Sequence, residues 1–387
     1  MVLPCHQPRT KRHIAISRDD DMIGLMNIES RPVVIVGGGQ SGLAAARATQ
    51  QAGLRPLVLE AADRAAGSWP SYYDSLTLFS PARYSGMPGM PFPGDPDRYP
   101  VRDEVVAYLE RYAASLDAEI RTGTRVETVQ RGEGAGAGFV VRTVGGESIE
   151  AAGLVAASGS FGNPYLPVLP GHEEFAGEVL HVAAYRDPKP YAGKRVVVVG
   201  AGNSAVQVGY ELAEVATVAL ATRQPIQFVP QVYGGHDLHH WLDVTGFDSL
   251  PPAWLAHFVS QTLVLDTGIY QDAMTSGRLA RRPMFTAFTP EGVLWPDGTS
   301  EKVDVVIFAT GYRPHLDYLR PLGALDASGA PLHAGGVSVT HPGLVYVGLE
   351  FQRSFSSNTL RGVARDAEHV TAPLAAYAGG AAALVST

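Results

Sequence analysis

Val33-Val34-Ile35-Val36 is a run of four β-branched residues that meets three consecutive glycines, Gly37 to Gly39, and then an alanine-rich stretch reaching about Gln51. An unbroken apolar run of this length predicts a strand buried on both faces. The glycines then predict a sharp turn and the alanines a helix. The next apolar run, "LRPLVLEA", supplies a second strand that ends in Glu60. Further on, "VVVVGAGNSAVQVGYELA" at 196–213 repeats the design, and "VATVALATR" supplies its second strand, ending in Arg223. The pattern thus predicts two copies of one strand–turn–helix–strand unit.

The stretches between them read differently. A loop rich in Pro, Gly and aromatic residues covers 67–100, and Val105, Val106, Leu109 and Tyr112 recur at helical spacing over about 102–115. From about 125 to 158 apolar and polar residues alternate as strands do, broken by a glycine-rich loop at 132–138 and a turn at Gly145-Gly146. After the second unit come a hairpin turning on Asp297 and Gly298, a strand "GLVYVGL", and a helix from about Thr359 to Tyr377. The fold class is therefore α/β, with two Rossmann-like dinucleotide-binding domains. We expect a first domain formed by 30–165 and 295–387, a second inserted at 166–294, and a disordered N-terminal extension over 1–29.

The spacing within each turn assigns chemistry. In Gly37-x-Gly39-x-x-Gly42 the glycines allow a tight turn, backbone room for a diphosphate, and close helix–strand packing, while the helix N-terminus offers N–H groups to the phosphates. Glu60 lies 23 residues after Gly37, where a carboxylate reaches ribose hydroxyls. The second copy is Gly200-x-Gly202-x-x-Ala205, and Thr222-Arg223 occupies the position equivalent to Glu60. A guanidinium there suits the 2′-phosphate of NADPH, which a carboxylate would repel; Gln224 beside it leaves NADH open. The simplest assignment is FAD in the first site and NADPH in the second, with electrons passing between them.

Composition narrows the partners. The 387 residues are 45% hydrophobic and carry a formal charge of −8, which gives no global attraction to nucleic acid or an anionic membrane. A single cysteine, Cys5, allows neither an internal disulfide nor a CxxC redox pair. With no run of about 18 apolar residues, the sequence reads as a cytoplasmic protein that acts on a small molecule; a homodimer is left open.

Three further stretches resemble one family, the class B flavin-dependent monooxygenases, which include the flavin-containing and Baeyer-Villiger monooxygenases. "FAGEVLHVAAY", from Phe175 through His181 to Tyr185, is similar to the family's linker signature. "GSWPSYYDSLTLFSPARYSGMPGMPFP" at 67–93 resembles the segment that covers the flavin, and "FATGYRP" at 308–314 the ATG motif, with its Gly311. The resemblance spans roughly 30–370 and implies a glutathione-reductase-like two-domain flavoprotein. In such an enzyme NADPH reduces the flavin, reduced flavin traps dioxygen as a peroxyflavin, and one oxygen atom passes to a heteroatom or carbonyl of a small organic substrate. Carried over by position, Gly37, Gly39, Gln40, Gly42, Glu60, Ser68 and Trp69 would hold FAD, with Val126 as a backbone contact to adenine. Gly200, Gly202, Asn203, Ser204, Ala205, Thr222 and Arg223 would hold NADPH, with His181 at the domain junction.

Two departures accompany the resemblance. Phe79-Ser80 stands where many members have an asparagine near the reactive flavin edge, and Tyr185 replaces the Baeyer-Villiger signature's terminal tryptophan. Ser80 and His181 are the candidate catalytic residues, Ser80 as a hydrogen-bond donor; an ordinary turn serine and a structural histidine are the competing readings. An NAD(P)H-dependent flavin reductase or oxidase that releases peroxide or reduces a quinone-like acceptor is the alternative function. "GGHDLHHWLDV" at 234–244 lacks an established zinc spacing, so no metal is assigned, and its aromatic residues suit a substrate channel or plain packing. Ser357 or Asn358 is expected at a helix N-cap, where the helix dipole would favour negative charge on reduced flavin.

Overall fold

The computed structural model describes residues 31–134, 137–257 and 263–379. The expected extension over 1–29, Cys5 and two residues of the 132–138 loop lie outside the described residues.

Two sheets organise the chain, the first parallel except for an antiparallel edge over 333–346 and the second parallel throughout. The first runs in the order His333–Ala334, Val337–Ser338, Leu344–Tyr346, Gly153–Ala156, Val33–Val36, Pro56–Leu59, Glu119–Arg121. Val33–Val36 is its central strand, paired in parallel with Pro56–Leu59 on one side and Gly153–Ala156 on the other. Both faces of that strand are covered, which is why its sequence is continuously apolar. Val33 and Ile35 pack toward helices Gln40–Gln51, Arg102–Ala114 and Val363–Ala378. Val34 and Val36 pack toward an antiparallel meander, Val126–Arg131, Phe139–Thr143 and Ser148–Ala151, through Val129, Phe139 and Val141.

The second sheet runs Ala280–Pro283, Thr217–Thr222, Arg195–Val199, Val305–Phe308, Glu178–His181, and every pairing in it is parallel. It repeats the layering. Val196 and Val198 face helix Asn203–Leu212, while Val197 and Val199 face the antiparallel strands Ala287–Thr289, Gly292–Leu294 and Ser300–Lys302 with Trp295. Burying each such valine or leucine contributes roughly 1.5–3 kcal/mol.

Residues 295–308 join the second unit rather than the first, which corrects the boundary expected at 294. Val305–Phe308 is a fully buried strand inserted between Arg195–Val199 and Glu178–His181, and its four apolar residues find both covering layers only there. The chain returns to the first unit after Phe308. The final helix is also shorter at its start than expected, beginning at Val363 with Gly362 as its N-cap.

Candidate functional site

The first glycine turn closes at the C-terminal end of the central strand. Gly37 has φ +108°, and a Cβ there would lie 2.5 Å from the Ala157 carbonyl oxygen. A Cβ on Gly42 would lie 1.8 Å from the Gly37 carbonyl oxygen, so the helix seats against the turn only because position 42 is bare. The first N–H groups of helix Gln40–Gln51 have no partner within the helix and face the turn. Glu60 is buried, and its two carboxylate oxygens accept N–H bonds from Gly38 at 2.5 Å and Ala62 at 2.7 Å. The carboxylate therefore splints the turn and keeps further lone pairs for a ligand.

A cavity of about 540 Å³ opens at this turn. Of the predicted residues, Gly37, Gly39, Gln40, Glu60, Ser68, Val126 and Asn358 line it. Gly42 and Trp69 stand behind the lining: Trp69 Nε1 donates to Gln40 Oε1 at 2.9 Å and so orients a residue that does line it. The sequence reading missed the third wall, Ser158 to Gly162 with Tyr72, Arg125 and His315. The signal was available in "ASGSFG", a Gly/Ser-rich segment after Gly153–Ala156, because ligands of open parallel sheets sit beyond the carboxyl ends of the strands. Burial and the charge of Arg125 both push the His315 pKa below its ordinary value.

The second turn repeats the geometry with different side chains. Gly200 has φ +147°, and a Cβ there would lie 2.4 Å from the Ala309 carbonyl oxygen. Gly202 caps helix Asn203–Leu212, which holds Ser204 and Ala205 in its first turn. The Asn203 amide is engaged elsewhere, donating to the Leu263 carbonyl and accepting from Leu265 N–H, each at 3.2 Å; what it leaves for a dinucleotide is its backbone. Thr222 is buried, and its Oγ1 accepts from Arg281 Nε at 2.8 Å. Arg223 is exposed and makes no hydrogen bond or ion pair among the described residues. Arg281, which no motif marks, thus reaches Thr222, the residue before Arg223, with no acid paired to it among the described residues, and brings a second guanidinium to this strand.

His181 lies where the two units meet. Ala183 N–H donates to its Nδ1 at 3.1 Å, so the proton is on Nε2, which donates to the Gly311 carbonyl at 3.1 Å. Burial pushes its pKa below the usual histidine value, with the Gly311 bond opposing, and Tyr312 packs edge-on at 4.9 Å. The same carbonyl accepts from Tyr165 N–H at 3.0 Å. His181 therefore acts as a neutral clasp on the 308–314 segment. Gly311, with φ +81°, is pinned by its own carbonyl and does not line the cavity.

Two predicted placements change. Ser80 is buried within its own turn, its Oγ 2.9 Å from Ser85 Oγ, and it does not line the cavity. Asn358 lines the cavity but caps no helix, and neither does Ser357: both fall within the turn before Gly362, where Thr359 N–H already bonds the Ser356 carbonyl. The dipole argument at Asn358 falls with that. The 234–244 stretch is used in joining the units. Asp237 Oδ1 accepts from His239 N and Nδ1 at 2.8 and 2.7 Å, while Oδ2 accepts from Tyr99 OH and Gln231 Nε2, both at 2.6 Å. Further along, Arg361 Nε and Nη2 grip Asp248 at 2.8 and 2.7 Å.

Comparison with known proteins shows the family. A family profile described as pyridine nucleotide-disulphide oxidoreductase matches residues 34–232. Indole-3-pyruvate monooxygenase YUCCA1 of Oryza sativa subsp. japonica is 34% identical over 324 residues, covering 76% of this chain and 79% of that protein. The solved flavin-containing monooxygenase from Stenotrophomonas maltophilia superposes with a TM-score of 0.77 at 31% identity, over 89% of this chain and 98% of that one. An open structure of cyclohexanone monooxygenase, at 19% identity and a TM-score of 0.62 over 91% of this chain and 88% of that one, shares the fold. Glycine turn, lined cavity and likeness agree: the chain is an oxidoreductase belonging to the flavin-dependent monooxygenases, a family of two-domain flavoproteins that use FAD and NADPH.

Proposed function

We propose that this chain is an FAD- and NADPH-dependent monooxygenase that places one atom of dioxygen in a small organic substrate. The observation that carries the proposal is the contrast at two otherwise matching strand ends, Glu60 above one and Arg223 with Arg281 above the other. The residues fit the two dinucleotides: the first turn has a bare glycine cradle that a Cβ would fill, and the second has guanidinium groups with no carboxylate partner among the described residues. When bound, the pair supplies a hydride donor and a flavin whose reduced form reacts with dioxygen.

The protein supplies position. Gly39 and Gln40 present backbone N–H groups to the FAD diphosphate, Gly37, whose own N–H is held by the Leu59 carbonyl, gives it room by lacking a side chain, Glu60 accepts from ribose hydroxyls, and Val126 borders the adenine by its backbone. At the second turn Gly200 and Gly202 admit the NADPH diphosphate, with Ser204 and Ala205 in the helix turn behind it. Thr222 orients Arg281, and Arg281 with Arg223 takes the 2′-phosphate. His181, uncharged, fixes Gly311 and so the crossing between the two units.

The test is coupling. Purified protein loaded with FAD is given NADPH, dioxygen and, in turn, methyl phenyl sulfide, trimethylamine and cyclohexanone, and peroxide release is measured against NADPH consumed. A drop in peroxide with one of the three, and one ¹⁸O atom from ¹⁸O₂ in its product, is the expected result. Peroxide equal to NADPH consumed with all three, and no label in any product, would instead favour the oxidase alternative.

A further inference from the structure

The first-unit segment 69–74 has neighbouring tyrosines that serve different units. Tyr72 lines the first cavity, packed on Phe161 at 4.5 Å and Trp69 at 5.5 Å. Tyr73, the next residue, is only 4% exposed and belongs to the core of the second unit, among Val196, Val198, Val206 and Tyr185. Its hydroxyl donates to Gln207 Oε1, on the helix Asn203–Leu212 that starts at the second glycine turn. Gln207 is shared in turn with Tyr270. Burial drives the Tyr73 phenol pKa well above its usual value, so the hydroxyl stays a donor.

The backbone around these tyrosines is bound to the second unit as well. Arg186 Nη1 donates to the Pro70 and Tyr72 carbonyls at 3.0 and 2.8 Å, and the Arg186 carbonyl accepts from Asp74 N–H at 2.9 Å. Arg102, from the first unit, donates to the same Tyr72 carbonyl at 2.8 Å. The segment that walls the first cavity is therefore gripped by the helix and linker of the second.

We propose that Tyr73, through its bond to Gln207, is a positioning residue for hydride transfer: it keys the cavity wall at Tyr72 to the helix beneath the second dinucleotide and so sets the approach of nicotinamide to flavin. The inference rests on the FAD and NADPH reading above. In that step two electrons and one proton leave the nicotinamide as hydride for the flavin, giving NADP⁺. The reaction depends steeply on the distance between the reacting atoms, so a wall that shifts by a fraction of an ångström slows transfer with little change in binding.

The test uses anaerobic rapid mixing of FAD-loaded protein with NADPH. Tyr73→Phe keeps the ring in the core and removes only the donor. Its limiting rate of flavin reduction is expected to fall about tenfold, with NADP⁺ affinity within about twofold and with dithionite reduction and the thermal midpoint unchanged. Gln207→Leu should match it, and the double variant should be no slower than either single one. Limiting rates equal to wild type in both single variants, or losses that multiply in the double variant, overturn the proposal. Wild-type protein that NADPH fails to reduce would overturn the cofactor reading itself, and is distinguished because it shows before any variant is made.

Discussion

The two dinucleotide units follow one plan, a mainly parallel sheet with helices on one face and three antiparallel strands on the other, and both turn at glycines that a Cβ would jam against a neighbouring carbonyl. They part at the end of the second strand. In the first unit a buried Glu60 is folded into the turn itself, bonded to Gly38 and Ala62, and the cavity beyond it is walled by Ser158 to Gly162. In the second, Arg223 is exposed and Arg281 leans on Thr222. On the function proposed above, shared backbone geometry makes both units dinucleotide sites, and the residue one step past the strand selects the dinucleotide.

The largest expected effect breaks one unit and spares the other. Gly37→Ala forces a side chain onto a φ of +108° and into the Ala157 carbonyl, and it should lower FAD retention by more than about a hundredfold, read as flavin per chain after gel filtration. Gly200→Ala should leave the protein yellow while raising the KM for NADPH. If both variants lose flavin equally, the two turns do not serve separate ligands.

Arg223→Ala comes next. Loss of a charge-assisted contact should raise the KM for NADPH by about 10- to 100-fold and leave that for NADH within about twofold. Arg281→Ala should have the same direction and a smaller size, about fivefold, because Arg281 already gives its Nε to Thr222.

The smallest effect concerns pH. Burial depresses the pKa of His181, and a depressed histidine resists protonation in the folded state but not in the unfolded one. Its contribution to stability is complete above the unfolded value of about 6.5 and is lost as pH falls through that value toward the lower folded one. The thermal midpoint should drop slightly from pH 7 to pH 5.5, and less so in His181→Gln. His315, His333 and His341 are lowered too, so the variant should reduce the drop without abolishing it.

Most of the first unit was legible because its signals are local. The Val33–Val36 run, the glycine spacing and Glu60 all sit within a single strand–turn–helix–strand passage, where period and turn chemistry determine the structure. The hairpin at Asp297 was legible for the same reason, since Thr299 N–H and Oγ1 bond the Asp297 carboxylate and Gly298 takes φ +84°. What escaped depends on contacts remote in sequence. Val305–Phe308 reads simply as a buried strand, and only its pairing with Arg195–Val199 and Glu178–His181 decides which sheet receives it. Arg281 matters because it lies beside Thr222, 59 positions away. Ser80 looked exposed to chemistry because the partner that occupies it, Ser85, carries no motif.

On the function proposed here, the second turn selects a 2′-phosphate. Calorimetric titration of FAD-loaded protein with NADP⁺ and with NAD⁺, before and after Arg223→Ala, tests it most directly. We expect one site per chain, NADP⁺ bound about 30- to 100-fold more tightly than NAD⁺, and that ratio falling below about tenfold in the variant. Equal affinities in the wild-type protein, or a preference that Arg223→Ala leaves intact, would contradict the account.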